Sequence, residues 1–382
     1  MPALIPITLA TRKTEASFAV AINRHGQVAG TIENEHGVRR AVLYRQQMIE
    51  LGTLGGSDSY AGGINNAGDV VGTAQNAAGY WRAFVAQAAR AGSAPAMHDL
   101  GTLGGRSSHG AAINDAGQVV GFADTADGSF HAFRSDGVHG PVDLGTLGGQ
   151  VSYATDINRH GAVVGAAALP DGYRHAFLSR PGAAMQDLGT LGGRSSAASA
   201  VNDHGVVVGT AETAGRRWHA FIWKDGKMTD LGALIGYGNS FATDINHAGH
   251  VVGSIRIGDE RRAFVYRDGK MTVHPGGFGL YVVNAINDNE LVIGARQAIQ
   301  CGGHAVQPAR RGYARRPGFV ADNCCGAGDR RQPGVRPAQL SPLQGSGLAA
   351  RDVAGLRRCR QSGSPARCPR RTSPAIRRHG AA

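Results

Sequence analysis

Cysteine is absent from the first 300 residues of this 382-residue chain; all five, Cys301, Cys324, Cys325, Cys359 and Cys368, come later. The body can therefore hold neither disulfides nor thiolate metal sites. Nowhere is there a run of about 18 apolar residues, the length a membrane-spanning helix needs. The N-terminal MPALIPITLATRK lacks the basic start and long apolar core of a secretory signal. Helical periodicity is missing from the body as well. So are the short catalytic motifs G-x-S-x-G, H-E-x-x-H and G-x-x-x-x-G-K-[ST], and the glycosylation acceptor Asn-x-Ser/Thr. Acidic clusters such as Asp124 to Asp127 and Asp259-Glu260 lack the alternating ligand spacing of a calcium loop and read as solvated loop charges.

Basic charge is lacking from the body too, although the whole chain carries +12. Residues 1–300 hold 24 basic and 25 acidic side chains, whereas residues 301–382 hold 16 Arg, no Lys, 3 Asp and no Glu. The excess belongs to the tail alone. Arg-rich pieces there, at 357–360 and 369–371, could meet phosphates electrostatically. Yet Arg, Pro, Gly, Ala and Cys without Lys or Glu look like GC-rich DNA read in a wrong frame. The expectation is a disordered tail over 307–382, a frameshift product, with nucleic acid as its partner only if the tail is genuine.

What is present is a repeat. I-N-x-x-G-x-V-V-G recurs with its Asn at 23, 65, 114, 158, 202, 246 and 287, at spacings of 41 to 49 residues. Nine or ten residues after the closing Gly of each copy comes a basic residue, then Ala and an apolar residue. These are Arg40, Arg82, His131, His175, His219, Arg262 and His304. Further on lies L-G-T-L-G-G, starting at Leu51, Leu100, Leu144 and Leu188, and weakened to LGALIG at Leu231. N-x-x-G suits a tight turn with Gly at positive φ. Val-Val reads as a strand buried on both faces, and FIWKDGK as a strand ending in an Asp-Gly hairpin. Four short strands in about 44 residues match one propeller blade. The extra segment 86–96 falls between two of these strands, where insertions belong.

The expected fold is all-β, a seven-bladed β-propeller over residues 1–306. Leu9 precedes Ile22 by the spacing that separates Leu188 from Val201, so Ile7 to Thr11 is expected to supply a strand to the last blade and close the ring. Repeating residues are expected to be turn and contact positions, since a blade cannot bury its own faces. The basic residue before Ala-Phe interchanges between His and Arg, which a metal site would not tolerate. A hydrogen bond to a neighbouring turn is its expected role.

At the His-Ala-Phe and D-L-G-x-L-G-G blocks, over residues 1 to about 306, the sequence resembles the HAF repeat family of extracellular repeat proteins. The resemblance implies a repeat architecture and an extracellular or surface location, with no established enzymatic activity. The chain departs from that pattern in its N-terminus, which has no visible signal, and in its tail.

The functional expectation is a non-catalytic, monomeric binding or scaffolding module for a protein or glycan, without cofactor or metal. The alternative is a propeller-type lyase or glycan hydrolase with unlike acids and bases gathered at the channel mouth. Candidate ligand contacts are the departures Trp81, Trp218 and Tyr237, aromatics near loops that could stack on a sugar or peptide. The recurrent His131, His175 and His219 complete the set.

Overall fold

The computed structural model describes residues 16–87, 96–236, 238–258, 260–274, 280–296 and 319–321. Among these residues the fold is all-β, a propeller arrangement of six four-stranded antiparallel sheets followed by a three-stranded one. One single-turn 3₁₀ segment, Gly232–Leu234, is the sole helical element among them. Each four-stranded sheet is one repeat. In the fifth, strands Gly192–Val201, Val207–Thr213, Trp218–Lys224 and Lys227–Asp230 pair in chain order. First strands of consecutive sheets lie side by side around the axis: Ala16–Ile22, Gly55–Ile64, Gly104–Ile113, Ser152–Ile157, Gly192–Val201, Asn239–Ile245 and Leu280–Ile286.

The Val-Val pair is buried on both faces, as its composition requires. Val207 belongs to a core shared with sheet 4, containing Val164, Leu178 and Phe221; Val208 belongs to one shared with sheet 6, containing Ile245, Val251 and Phe264. The recurrent Phe is fully buried in five copies, Phe84, Phe133, Phe177, Phe221 and Phe264. The apolar layers therefore lie between blades rather than within them, which is why one copy cannot stand alone. The closing Gly is a close-approach position: a Cβ on Gly165 would sit 2.0 Å from the Tyr153 carbonyl oxygen, where the inner strand bulges between Ala154 and Asp156.

One difference from expectation concerns the last blade. Six sheets have four strands, but the seventh has three: Leu280–Ile286, Val292–Arg296 and Phe319–Ala321, the last pairing parallel with the second. The strands expected to complete that blade, at His304 and at Ile7 to Thr11, lie outside the described residues. Of the expected tail only Phe319–Ala321 is described. The insertion behaves as expected, falling between strands Trp81–Ala86 and Met97–Asp99.

Candidate functional site

Most recurrent polar residues are consumed by the scaffold. Five of the repeat Asn accept two backbone N–H groups of their own turn, and Asn65 and Asn246 accept one; Asn158 Oδ1 takes those of His160 and Ala162, each at 3.0 Å. The same side chain then reaches the next blade. Asn23 Nδ2 donates to the Asn65 carbonyl at 3.0 Å, and Asn65, Asn114, Asn158, Asn202 and Asn246 repeat the bond to the following Asn at 3.0 to 3.4 Å. Asn287 Nδ2 donates to the carbonyl of Asn23 at 2.9 Å. All seven are buried, so each bond replaces water that could not reach the group.

A second latch went unread in the sequence. Ser108 Oγ, fully buried, accepts the Ala83 N–H of the preceding blade at 2.9 Å and donates to the Gly101 carbonyl at 2.5 Å. Ser59, Ser152 and Ser196 make the same pair of bonds, and Ser240 makes the first of them. The signal was a Ser eight residues after the Leu of L-G-T-L-G-G, at Ser59, Ser108, Ser152 and Ser196.

The candidate histidines are not gathered into one place. Each pairs inside its own blade with the Asp that ends the outer strand: His131 Nδ1 with Asp143 at 2.8 Å, His175 with Asp187 at 2.8 Å, His219 with Asp230 at 2.9 Å. The partner is thus a strand residue rather than a turn, although Asp143 and Asp187 in turn accept the N–H of the following Gly at 2.7 Å. His and Arg interchange at this position: in sheet 2 Arg82 faces the matching outer-strand Asp99, Nε to Oδ2 at 3.9 Å. In sheet 6, whose outer strand ends at Val273, Arg262 pairs instead with Glu260. The Nε2 of His219 is buried without a partner, its ring against Gly232, where a Cβ would come within 2.4 Å. Trp81 and Trp218 are half-buried and stand in sheets 2 and 5, which are not neighbours. Trp81 meets the ring of Tyr60 at 5.3 Å. Tyr237 lies outside the described residues.

Unlike residues do converge on blades 4 to 7. The position before I-N is Ala or Gly in five copies but Asp156 and Asp244 in two. Asp156 accepts the N–H of Val201 on the next inner strand, and Asp244 that of Ile286, each at 2.8 Å. Desolvation between the inner strands pushes the Asp156 carboxyl up to about 7 and that of Asp244 up to about 8; the Asp156 charge adds to the latter. At the adjoining turns, Asp203 receives the Arg159 N–H at 3.1 Å, and its Oδ2 lies 3.6 Å from His247 Nδ1. The rings of His204 and His247 are 4.4 Å apart. This is the arrangement nearest to acid–base machinery among the described residues, where no group of three or more His, Cys, Asp or Glu is placed to hold a metal. No helix there is long and apolar enough to cross a membrane.

The chain matches no protein-family model and no curated protein. Among solved structures it is similar to an acylaminoacyl peptidase from Pyrococcus horikoshii, at TM-score 0.50 and 14% identity, covering 75% of this chain and 50% of that one. TolB from Acinetobacter baumannii gives TM-score 0.43 and 11% identity over 68% of this chain and 63% of that one. The lectin BP39L from Burkholderia pseudomallei gives 0.41 and 8%, over 68% and 82%. The likeness to the peptidase is one of fold alone. This chain spans only half of the peptidase and less than two thirds of TolB.

Proposed function

We propose that the chain is a non-catalytic binding or scaffolding module of HAF repeat type, acting as a monomer outside the cell or at its surface on a protein or glycan partner. One observation carries the reading: the recurrent Asn, the latch serines of sheets 2 to 6 and the candidate His are already committed to backbone or carboxylate partners within the scaffold. A rigid ring then offers ligands its variable loops and its departures from consensus. Saturable binding by the full-length chain on glycan and peptide arrays tests this; no retained ligand in either panel would refute it.

We also propose that the ring is a closed seven-bladed one. Ser17 occupies the latch position of sheet 1, and its Oγ is buried without a partner. In sheets 2 to 6 the serine at this position bonds the preceding blade, so in a closed ring Ser17 would latch sheet 1 to the seventh blade. The bond from Asn287 to Asn23 favours the same closure. Ser17→Ala should then destabilise as much as Ser108→Ala. A neutral Ser17→Ala beside a costly Ser108→Ala would rule closure out.

A second reading, acid–base chemistry at Asp156 and Asp244, is favoured by their raised carboxyls between inner strands. Both carboxylates already serve backbone N–H groups, which places them with the latches.

A further inference from the structure

One position of the repeat reverses its charge. Three residues after the closing Gly stand Glu33, Gln75, Asp124, Ala168 and Glu212 in sheets 1 to 5, and Arg256 in sheet 6. In sheets 2, 3 and 5 the side chain accepts a backbone N–H at the start of the inner strand: Gln75 from Ser57 at 3.3 Å, Asp124 from Ser107 at 3.0 Å, Glu212 from Arg194 at 2.8 Å. A guanidinium has no lone pair to offer and cannot replace them. Arg256 Nε donates to the Gly258 carbonyl at 3.2 Å instead.

The ladder places Arg256 directly opposite Asn239 on one side and Arg261 on the other, so the three share one face of sheet 6. Asn239 Oδ1 accepts the Trp218 N–H of sheet 5 at 3.1 Å, which turns that face toward sheet 5 and leaves the Asn239 amide as a donor. Arg217 of sheet 5 lines the same shallow depression, of about 430 Å³, together with Gly238, Asn239, Arg256 and Gly258. A Cβ on Gly238 would meet the Arg256 carbonyl oxygen at 2.5 Å. Arg217, Arg256 and Arg261 are exposed, and among the described residues no carboxylate pairs with any of them. Beside them Arg216 holds φ 57 at a turn position that is glycine in sheets 1 to 4, at Gly37, Gly79, Gly128 and Gly172. A left-handed backbone on a non-glycine residue is strained, and such strain collects at ligand sites.

We propose that this depression between sheets 5 and 6 binds an oxyanion, a carboxylate, sulfate or phosphate group carried by the ligand, held by Arg217, Arg256 and the Asn239 amide with Arg261 at the rim. The anion supplies the acceptor that Arg256 replaced and neutralises the cations around it. The assignment rests on the binding-module reading and names the chemistry of its ligand.

The test is calorimetric titration of the full-length protein with sodium glucuronate, glucose 6-sulfate, inorganic phosphate and neutral glucose. Wild type should bind at least one charged probe and not glucose, and which one binds identifies the source of the anion. Arg256→Glu, which restores the acidic side chain of sheets 1 and 5, and Arg217→Ala should each weaken that binding at least about tenfold while leaving the thermal midpoint in place. Lys224→Ala, an exposed cation elsewhere on sheet 5, should leave binding unchanged. The assignment is overturned if no charged probe binds, if glucose binds equally, or if both Arg variants bind like wild type. Array binding that survives in those variants would leave the module reading standing and sink this site alone.

Discussion

Replacing Ser108 by Ala deletes one oxygen from the boundary between sheets 2 and 3. That oxygen accepts the Ala83 N–H at 2.9 Å and donates to the Gly101 carbonyl at 2.5 Å, and it is fully buried. Ala has almost the same volume, so cavity formation contributes little and the cost is that of two stranded backbone groups. A buried group left without its partner costs about 1–3 kcal/mol. The carbonyl keeps a second lone pair and the pocket can relax, so the sum for the two should fall at about 2–4 kcal/mol. At about 2 cal/mol/K of unfolding entropy per residue, a body of roughly 300 residues should lose about 3–6 °C in thermal midpoint. The neighbouring Ser107 points to the other side of the same strand and is only half-buried; Ser107→Ala should stay within about 0.5 kcal/mol of wild type. Circular dichroism during thermal and urea unfolding reads both. If Ser108→Ala is no more destabilising than Ser107→Ala, the latch is geometry without energy, and the claim that recurrent polar residues hold the blades together fails.

Asn158→Ala should cost about 2–4 kcal/mol by the same assay, since it removes two turn bonds and the inter-blade bond to Asn202, whereas exposed His139→Ala should cost almost nothing. Asp244 is held protonated in the fold up to about pH 8, so between about pH 4 and 8 the native state binds more protons than the unfolded one and stability falls as pH rises. Asp244→Asn should flatten that fall while lowering the acid plateau, because Asn has one side-chain oxygen where Asp244 uses both of its oxygens for the Ile245 and Ile286 N–H groups; a midpoint-versus-pH series that superimposes on wild type would contradict it. His175→Ala, which strands only a partly exposed Asp187, should cost about 1 kcal/mol or less; a larger loss would mean that the His–Asp pair is a main support of the blade.

The repeat, its strand order and the turn role of Asn were legible because each is local: short β-branched runs, an Asn-x-x-Gly turn and a fixed order of blocks. The inter-blade roles were not. The acceptor of each Asn amide lies on another copy, 41 to 49 residues away in the first six bonds. Nothing in one copy announces it. The latch serine was visible as a spacing but sat in a Gly-rich stretch that reads as a turn. The aromatic departures Trp81 and Trp218 are conspicuous in the sequence, but the fold sets them in separate blades. The charged departures, Asp156 and Asp244 before I-N and Arg256 after V-V-G, emerge only when each column is compared across copies. The registers Asn239 to Arg256 and Arg256 to Arg261 set Asn239, Arg256 and Arg261 on a common face.

The central claim, that the chain binds rather than converts its ligand, is tested most directly by incubating the full-length protein with ester, peptide and glycan panels and following product by mass spectrometry. The account predicts no product above the buffer control in any panel, and the same for Asp156→Asn, Asp244→Asn and His219→Ala. Product formed by wild type and lost in any one of those variants would contradict it and make the acid–base reading the better one.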